Sequence, residues 1–555
     1  MKETNKKIIK LLLLSIIIFG FFFKISSLNS ADLFFDEAKE FLIARGLGDY
    51  ELTNAQRPFQ ATLDVNKTSV FQPPLMCALL HFWSNYNFSI PWLKLMPLIF
   101  NILSLLFMYY ISRLIGFSIL WSLAVVAFCS LSYSWSFFAL YLRSVYALTI
   151  FNSTLLVFLI LRIIKNKHIY INDCIILGLG ISLACFSSYS FWLIIPLLVC
   201  VIAVLIFLYS SVSIIARLRN LLIFLAPLYV TLNYVISKQA IYYWEFSGLN
   251  KLQSFGLQDL MKFSLSSLHN SLRLIADSLF WQLFGIVKNY HDSKFFVQAS
   301  YIISAVFIAA CIYLLVFSLR KKRVNGFFII FTFLYAVASL ASLPFLKLWT
   351  AEQIRYSVFF SPFLVFSLFI ILRFMYQYHS RICRPGVSRV TVLFLITALC
   401  LSNLYFSYSY RASQYGFADI RGLLKQVVTD ISGDSSSGRV YVYVNWVARD
   451  IFRYHYLFAD SYLSSRINKE DVYLSSPGLD DINRIEEFGI RFQNIAKNRY
   501  DSAWIIWGFT PGYNAEQDDR YKVVKNLISS IESITIIKEV RTNKARALKI
   551  AHRIL

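Results

Sequence analysis

Residues 6–40 read KKIIKLLLLSIIIFGFFFKISSLNSADLFFDEAKE, and this stretch decides the fold class. An apolar run from Ile8 to Phe23 follows the basic pair Lys6-Lys7, and a bilayer-spanning helix needs about 20 mainly apolar residues. The alternative is a cleaved signal peptide, but Lys24-Ile25-Ser26-Ser27-Leu28 is a poor cleavage site. We therefore expect an uncleaved first transmembrane helix over 8–27.

The whole chain has a similar composition. Of its 555 residues, 57% are hydrophobic and only 15% are charged, whereas a soluble protein carries about 25% charged residues. We therefore predict a polytopic α-helical membrane protein with about 11 transmembrane helices. The predicted spans are 8–27, 93–115, 117–138, 145–164, 170–187, 189–210, 219–237, 296–318, 325–346, 356–376 and 389–408.

Basic residues orient these spans, because cytoplasmic loops of membrane proteins carry an excess of Lys and Arg. With the N-terminus in the cytoplasm, every second connection is basic: Arg113; Arg162, Lys165 and Lys167; Arg217 and Arg219; Arg320, Lys321, Lys322 and Arg323; Arg381, Arg384 and Arg389. The formal charge of +23 therefore reflects topology and attraction to membrane lipids. Nucleic acid is not an expected partner, since these cations punctuate apolar runs and form no solvated basic face.

Two long connections and the C-terminal end are then expected outside the cytoplasm. The connections cover about 28–92 and 238–295. In the second, apolar residues from Leu257 to Leu279 recur every three or four positions, which predicts an interfacial amphipathic helix. We divide the chain into a transmembrane domain, 1–411, and a soluble outer domain, 412–555.

The predicted soluble domain alternates helices and strands, which indicates a small α/β fold. Its predicted elements are a helix over 416–430, strands over 439–444 and 503–507, a helix over 521–531 and a strand over 534–540. No glycine-rich nucleotide loop occurs there, which argues against a soluble nucleotide-sugar enzyme.

The eight cysteines lie in or beside apolar stretches, none pairs as Cys-x-x-Cys, and none follows Cys400. Neither a disulfide framework nor a zinc site can be read from this spacing. We expect no metal and no cofactor.

Asp36 and Glu37 follow the first span closely. Carboxylates this near a bilayer are costly unless they are solvated or functional. If 33–46 is helical, the two neighbours diverge by about 100°, so only one faces a given cavity. The residues alone leave two interpretations open: a functional carboxylate, or a solvated, self-neutralised interfacial helix on which Lys39 and Glu40 lie beside Asp36.

Two arginines, Arg143 and Arg355, are expected on the outer side, against the charge bias of the loops. Each therefore needs an anionic partner. A guanidinium can bind phosphate through two parallel hydrogen bonds, and the alternative is contact with lipid headgroups. The segment Gln72-Pro73-Pro74-Leu75 fixes an extended bend, which on its own is an ordinary re-entry turn.

Together these features resemble the GT-C superfamily of integral membrane glycosyltransferases, in the branch of protein O-mannosyltransferases and bacterial aminoarabinose transferases. The resemblance lies in an outer Asp-Glu pair, an Ala-Arg-x-Leu stretch, a Pro-Pro-Leu turn and two arginine–tyrosine pairs: Asp36-Glu37, Ala44-Arg45-Gly46-Leu47, Pro73-Pro74-Leu75, Arg143 with Tyr146, and Arg355-Tyr356. The unit from Asp419 to Val444, with Tyr454-His455-Tyr456 after it, looks like the outer domain of bacterial members.

The resemblance implies a GT-C fold and a membrane enzyme that moves a sugar from a polyprenyl-phosphate donor to a hydroxyl of a lipid, glycan or protein acceptor, with inversion. It implies Asp36 as the catalytic base, with Glu37 beside it. The implied donor-phosphate contacts are Arg143 and Arg355, then Arg57 and Lys67. The implied substrate-cavity residues are Gln72, Tyr146 and Tyr356.

Two departures from the family bear on the identity of the sugar. Aminoarabinose transferases usually have a lysine directly before the paired prolines, where this chain has Gln72, so a phosphate-contacting cation is missing there. Many relatives have an acidic residue just before the middle arginine, where this chain has Tyr141 and Leu142. Without readable disulfides and with compact loops, a bacterial inner membrane is favoured over endoplasmic reticulum.

Two other functions remain open. A transporter or flippase of lipid-linked glycans predicts internal repeats and ionisable residues at mid-membrane, and neither is evident. An O-antigen-type polymerase or ligase is similar in composition and also uses lipid-linked sugars, but it usually has its long loop later in the chain and does not require an early Asp-Glu pair.

Overall fold

The contacts of the chain divide it into two compact units. The helical unit comprises Met1–Ser27, Val70–Met76 and Lys94–Ser409, and the mixed unit comprises Leu28–Ser69, Cys77–Leu93 and Tyr410–Leu555. The structure, a computed structural model, describes residues 2–25, 33, 35–53, 57–69, 73–132, 134–135, 139, 142, 146–188, 191, 194–210, 213–235, 237, 273, 275–280, 282–283, 294–321, 323–342, 358–382, 385–414, 420–433, 440–459, 461–475, 488, 502–508, 519–530, 534–541 and 545–552.

The mixed unit is built from two distant parts of the chain. Residues 28–69 and 77–93, the predicted first outer loop, belong to the same compact unit as residues 410–555. The sequence analysis had assigned this loop to the transmembrane domain, because composition changes only near 412. Composition reports the solvent around a segment and carries no information about which distant segment it contacts.

The helices are numbered in chain order: α1 (Lys2–Ile25), α2 (Phe35–Ala44), α3 (Phe59–Ser69), α4 (Leu75–Trp83), α5 (Ile90–Ile115), α6 (Ile119–Leu131), α7 (Ala147–Asn166), α8 (Ile171–Ser187), α9 (Ile195–Tyr209), α10 (Ile214–Tyr234), α11 (Lys294–Arg320), α12 (Val324–Ser342), α13 (Ser361–Ile382), α14 (Pro385–Gln414), α15 (Ile420–Gly433), α16 (Trp446–Tyr454), α17 (Ser461–Arg466) and α18 (Asp519–Ser530). A π-helical turn, His455–Ala459, continues α16.

The prediction of a polytopic α-helical membrane protein is confirmed. Among the described residues, five helices are long and apolar enough to cross a bilayer: Ile90–Ile115, Ala147–Asn166, Ile214–Tyr234, Gln298–Arg320 and Val358–Tyr378. Shorter apolar helices in the same part of the chain are Leu11–Gly20, Ile119–Leu131, Ile171–Ser187, Ile195–Tyr209, Val324–Ser339 and Val390–Tyr405. Each predicted span overlaps one of these helices.

Close helix packing in the helical unit depends on a glycine of α8. A Cβ at Gly178 would stand 2.5 Å from the Phe224 carbonyl oxygen of α10, and 3.3 Å from Pro227 Cγ. Small residues at such contacts are the usual means of helix association in a bilayer, where apolar burial gives no driving force. The backbone of α10 therefore approaches α8 at a position that only glycine accommodates.

A buried hydrogen-bonded chain connects further parts of the helical unit. Asn101 Nδ2 of α5 donates to the Trp135 carbonyl oxygen at 3.1 Å, and Trp135 Nε1 donates to Ser361 Oγ of α13 at 2.8 Å. All three residues are buried. Polar groups away from water need such partners, because an unpaired one costs several kcal/mol in hydrocarbon, of order 2–7 kcal/mol.

The described strands of the mixed unit form one five-stranded sheet in the order β2-β1-β3-β5-β4. They are β1 (Val440–Val444), β2 (Val472–Leu474), β3 (Ser502–Gly508), β4 (Ile534–Arg541) and β5 (Ala545–His552). β1 is parallel to both of its neighbours, whereas β5 is antiparallel to β3 and β4.

Helices cover both faces of this sheet. Tyr521 and Ile528 of α18 share one apolar core with Leu548 and Ile550 of β5. Since side chains alternate along a strand, Lys549 points to the opposite face, where its Nζ lies 3.1 Å from Asp430 Oδ2 of α15. Coverage of both faces explains why β3, at the centre, is a continuous apolar run that is buried throughout.

Most predicted elements of the soluble domain are confirmed. The predicted strands over 439–444, 503–507 and 534–540 correspond to β1, β3 and β4, and the predicted helices over 416–430 and 521–531 correspond to α15 and α18. The elements β2, β5, α16 and α17 are not predicted from the sequence. Most of the second outer loop and of the predicted amphipathic helix from Leu257 to Leu279 lies outside the described residues.

We expect Gly178→Ala to destabilise the protein and Gly180→Ala to be tolerated. The new Cβ at Gly178 meets a backbone carbonyl, and overpacking costs about 1–3 kcal/mol. The new Cβ at Gly180 meets only the end of the Leu156 side chain, at 3.0 Å. Both variants gain the same helix propensity, about 1 kcal/mol. Thermal unfolding in detergent measures the difference, and equal midpoints for the two variants would contradict the packing described.

Candidate functional site

The acidic helix α2 lies in the mixed unit and has Asp36 and Glu37 in its first turn. The free backbone N–H groups of a helix N-terminus favour negative charge there. Asp36 is half-buried, whereas Glu37 is only 1% exposed. The two adjacent carboxylates therefore have different surroundings, and Asp36 is the more accessible one.

A second buried carboxylate, Glu40, stands one helical turn after Glu37 and is 2% exposed. Cys77 Sγ of α4 lies 3.1 Å from Glu40 Oε1 and 3.2 Å from Asn66 Oδ1 of α3. The thiol, which donates one hydrogen at a time, thus connects α4 to the carboxylate of α2 and the amide of α3. α2 is therefore a packed helix, and the solvated-helix interpretation does not describe it.

The C-terminal end of α2 is closed by a glycine. Gly46 has a φ of +73°, a left-handed conformation, and its N–H donates to the Ile43 carbonyl at 2.8 Å. The next N–H, of Leu47, donates to the Leu42 carbonyl at 3.0 Å, which completes a Schellman cap. A Cβ at Gly46 would stand 2.9 Å from Arg57 Cβ, so the approach of the following segment also requires glycine.

Two side chains hold the last carbonyl of α2. Thr62 Oγ1 of α3 and His81 Nδ1 of α4 each lie 2.9 Å from the Ala44 carbonyl oxygen, and 2.9 Å from each other. A carbonyl oxygen only accepts, so the contact from His81 requires a hydrogen on Nδ1. The histidine is therefore a structural donor in this arrangement.

These contacts fix the direction of α3 relative to α2. Thr62 contacts Ala44 at the end of α2, whereas Asn66 and Glu40 contact the same thiol, that of Cys77. The helix α3 therefore runs antiparallel to α2. Its last turn, which contains Lys67, therefore approaches the end of α2 where Asp36 lies. Lys67 is half-buried.

Arg57 lies at the other end of α2. It stands beside Gly46, and ten residues of helix separate that position from Asp36 by about 15 Å. Its guanidinium NH2 is 2.6 Å from Glu51 Oε2. Of the two weaker predicted phosphate contacts, Lys67 is thus the better placed relative to Asp36, and Arg57 already has a carboxylate partner.

The segment after α2 is bound by α16, about 400 residues later. Arg453 NH2 donates to the Gly48 carbonyl oxygen and, at 3.0 Å, to the Glu51 carbonyl oxygen. Its Nε is 3.3 Å from the same Glu51 oxygen, and its NH1 is 3.2 Å from Asp450 Oδ1. The Arg453 side chain is 1% exposed, so all of these bonds are shielded from water.

Arg449 of α16 extends this ionic cluster. Its Nε lies 3.2 Å from Asp450 Oδ1, and its NH2 lies 3.9 Å from Asp49 Oδ2. Burial, the largest single influence, acts to lower the pKa of Arg449, but Asp450, Asp49 and Tyr50 together outweigh it and raise that pKa. For Arg453 burial prevails over the Asp450 carboxylate and lowers the pKa. Lys39 of α2 joins through Asp49 Oδ1 at 3.6 Å.

Aromatic rings complete the contact between α2 and α16. The Phe41 ring packs edge-on against Tyr454 and Phe458, with centroids 5.4 Å and 5.1 Å away. Tyr454 OH donates to the Phe88 carbonyl oxygen at 2.8 Å. The predicted first outer loop is therefore contacted by α16 and by the π-helical turn that follows it.

The remaining predicted residues lie elsewhere. Tyr146 is in the helical unit, where it is buried directly before α7. The other predicted phosphate and cavity residues, Arg143, Gln72, Arg355 and Tyr356, lie outside the described residues. The helical unit also buries Lys94, the fifth residue of α5, to 3% exposure. A cation so placed is a functional candidate, which the sequence analysis missed.

The arrangement can perform proton transfer at an accessible carboxylate. Asp36 offers acceptor oxygens at a helix N-terminus, and the buried contacts of α2 limit its movement. Within the described ranges, no group of three or more His, Cys, Asp or Glu could hold a metal ion. The described cysteines are free thiols.

Sequence reasoning found Asp36 and Glu37 but missed the residues that hold their helix. For α16 a signal existed, because Asn445 is a good N-cap residue before a helical pattern, and its Oδ1 accepts from the Ala448 N–H at 3.0 Å. Nothing in the sequence connects that helix to α2. The sequence predicts Glu40 on the solvated helix surface beside Asp36, whereas it is a buried acceptor.

Comparisons with known proteins give little further information. No protein-family model matches the chain, and no curated protein matches it. Among solved structures it is similar to the crystal structure of ArnT from Cupriavidus metallidurans bound to undecaprenyl phosphate, with 97% of each chain covered, 10% identity and a TM-score of 0.49. A likeness of this size assigns neither a fold family nor an activity to the chain.

We expect Gly46→Ala to lower stability more than Gly116→Ala. Both glycines have positive φ, +73° and +91°, so each alanine incurs a left-handed cost of about 1–2 kcal/mol. Only Gly46 adds a collision with the following segment, because nothing lies within 4 Å of a Cβ at Gly116. Thermal unfolding of the two purified variants measures this, and a larger loss for Gly116→Ala would refute the assignment of the cap.

Proposed function

We propose that this chain is a membrane glycosyltransferase. It moves a sugar from a polyprenyl-phosphate donor to a hydroxyl of a lipid, glycan or protein acceptor at the outer face of a bacterial inner membrane. The observation that carries the proposal is the half-buried Asp36 at the N-terminus of a helix whose other carboxylates are buried. A general base needs such a fixed, accessible carboxylate.

In the proposed reaction Asp36 removes the proton of the acceptor hydroxyl as that oxygen bonds to the anomeric carbon. The bond from this carbon to the phosphate oxygen breaks, and the lipid phosphate leaves with the electron pair. Attack from the opposite side inverts the anomeric configuration. The donor supplies an already activated sugar, so the reaction needs no nucleotide.

Glu37 has a supporting role in this scheme. A residue exposed to only 1% cannot take a proton from an incoming hydroxyl without rearrangement. Its position next to Asp36 suits it to orient a neighbouring group or a bound acceptor. This difference in burial favours Asp36 over Glu37 as the base.

Negative charge develops on the departing phosphate, so preplaced cations lower the barrier. Arg143 and Arg355 remain our first choices for this contact, with Tyr146, Tyr356 and Gln72 as cavity residues. Lys67 ranks above Arg57, because its helix ends near the Asp36 end of α2 while Arg57 pairs with Glu51.

The proposed topology has the N-terminus in the cytoplasm and residues 412–555 outside it. It follows from the alternation of basic connections. The transporter alternative has less support, because the charged residue buried in the described part of the helical unit, Lys94, lies near the start of α5 and away from mid-helix.

We expect Asp36→Asn to reduce transfer by about 100- to 10,000-fold, the usual contribution of a general base. Asp64→Asn, which removes an exposed carboxylate of α3, is the matched control and should retain activity. The measurement is transfer of radiolabelled sugar from polyprenyl phosphate to membrane-extract acceptors, with donor binding measured in parallel. Undiminished turnover of Asp36→Asn would remove Asp36 from the reaction.

We expect Arg143→Gln and Arg355→Gln each to weaken donor binding at least about tenfold, because a hydrogen bond to a charged group contributes about 1.5–3 kcal/mol. Arg162→Gln is the control, since Arg162 pairs with Asp173 at 2.6 Å near the predicted cytoplasmic side. Equilibrium binding of a polyprenyl phosphate measures the effect. Unaltered affinity in both test variants would end the phosphate assignment.

A further inference from the structure

Among the described residues, a buried asparagine lies at the carboxyl end of the parallel strands in the mixed unit. In open α/β sheets, ligands bind outside the carboxyl ends of strands where successive connections leave in opposite directions. In this sheet the connections diverge between β1 and β3. The chain after β1 leads to β2 at one edge of the sheet, and the chain after β3 leads to β4 and β5 on the other side.

Asn445 occupies this point. The residue is 1% exposed, its Nδ2 donates to the Gly508 carbonyl oxygen at 2.9 Å, and its Oδ1 accepts from the Gly508 N–H at 2.9 Å. The same Oδ1 caps α16. The asparagine at this end of the sheet therefore also fixes the start of α16.

That helix presents its buried charges to the first outer loop. Arg449 NH1 donates to the Ser475 carbonyl oxygen, directly after β2, at 3.3 Å. Arg453, one turn later, donates to the Gly48 and Glu51 carbonyl oxygens. The sheet therefore orients α16, and α16 grips the segment that directly follows α2.

We propose that Arg453 is a positioning residue for the transfer reaction: it fixes the helix that carries Asp36, and the C-terminal sheet orients the helix that carries Arg453. This inference rests on the proposed function. Arg453 acts only through the backbone of the loop and does not touch the substrates.

The hydrogen-bond pattern requires arginine. Nε, NH1 and NH2 each donate, to Glu51, Asp450 and Gly48 respectively, with a second bond from NH2 to Glu51. A guanidinium presents its donors in a rigid planar fork, whereas a lysine ammonium presents three from a single atom. A lysine at position 453 therefore keeps the positive charge but cannot form all of these hydrogen bonds.

A loosened α2 should affect the chemical step more than donor binding. Displacement of a reacting group by about 1 Å can cost of order 100-fold in rate. The donor phosphate contacts proposed above lie on other segments. The expected signature is therefore a fall in kcat with little change in donor affinity.

The test compares Arg453→Ala, Arg453→Lys and Arg541→Ala in the full-length protein. Arg541 is an arginine of the same sheet that is 62% exposed, so its removal should have little effect. Backbone hydrogen exchange over residues 35–51 reports directly how firmly Arg453 holds α2 and the segment that follows it. Steady-state transfer at saturating donor reports kcat, and equilibrium binding of a polyprenyl phosphate reports donor affinity.

We expect faster exchange over 35–51 and a roughly 100-fold lower kcat for Arg453→Ala, with a smaller change of both in Arg453→Lys and none in Arg541→Ala. If Arg453→Ala does not fold, the comparison of Arg453→Lys with the wild-type protein decides. Unchanged exchange and kcat would overturn the proposal, as would a loss of donor affinity equal to the loss of rate. If the wild-type protein transfers no sugar, the proposed function fails, and the exchange data still test the grip.

Discussion

A carboxylate taken out of water needs hydrogen-bond donors or a cation, and this requirement governs the surroundings of α2. Glu40 meets it through the thiol of Cys77. At the C-terminal end, the carbonyl groups that the helix leaves unpaired are taken by the Schellman cap, by Thr62 and by His81. A helix of ten residues would be marginal alone. Contacts from three other helices make it a fixed platform for Asp36.

The Ala44-Arg45-Gly46-Leu47 stretch has a structural explanation. In the sequence it is one of the motifs on which the family resemblance rests. In the structure its glycine is the left-handed residue of the cap, and its leucine donates the second capping bond. The motif therefore marks the place where α2 must stop and the chain must turn closely past the next segment. It need not contact a substrate to be required.

The sequence was sufficient where a physical signal is local. Long apolar runs predicted the spans, and short alternating or continuous apolar runs predicted β1, β3 and β4. β5 was missed because Lys549 interrupts its apolar pattern, although its ammonium is buried against Asp430. The candidate base could be identified from position and chemistry. The partner of Arg57 and the grip of Arg453 could not, because both depend on how distant segments meet in space.

The grip of α16 on the first outer loop also has a consequence for biosynthesis. Arg453 and Gly48 are 405 residues apart in the chain. At a synthesis rate of about 5–20 residues per second, roughly 20 to 80 s pass between the appearance of the two. During that interval the loop, with its acidic helix, lacks the aromatic and carbonyl contacts that α16 later provides. The nascent chain is then most open to proteases and chaperones, and this part of the protein matures last.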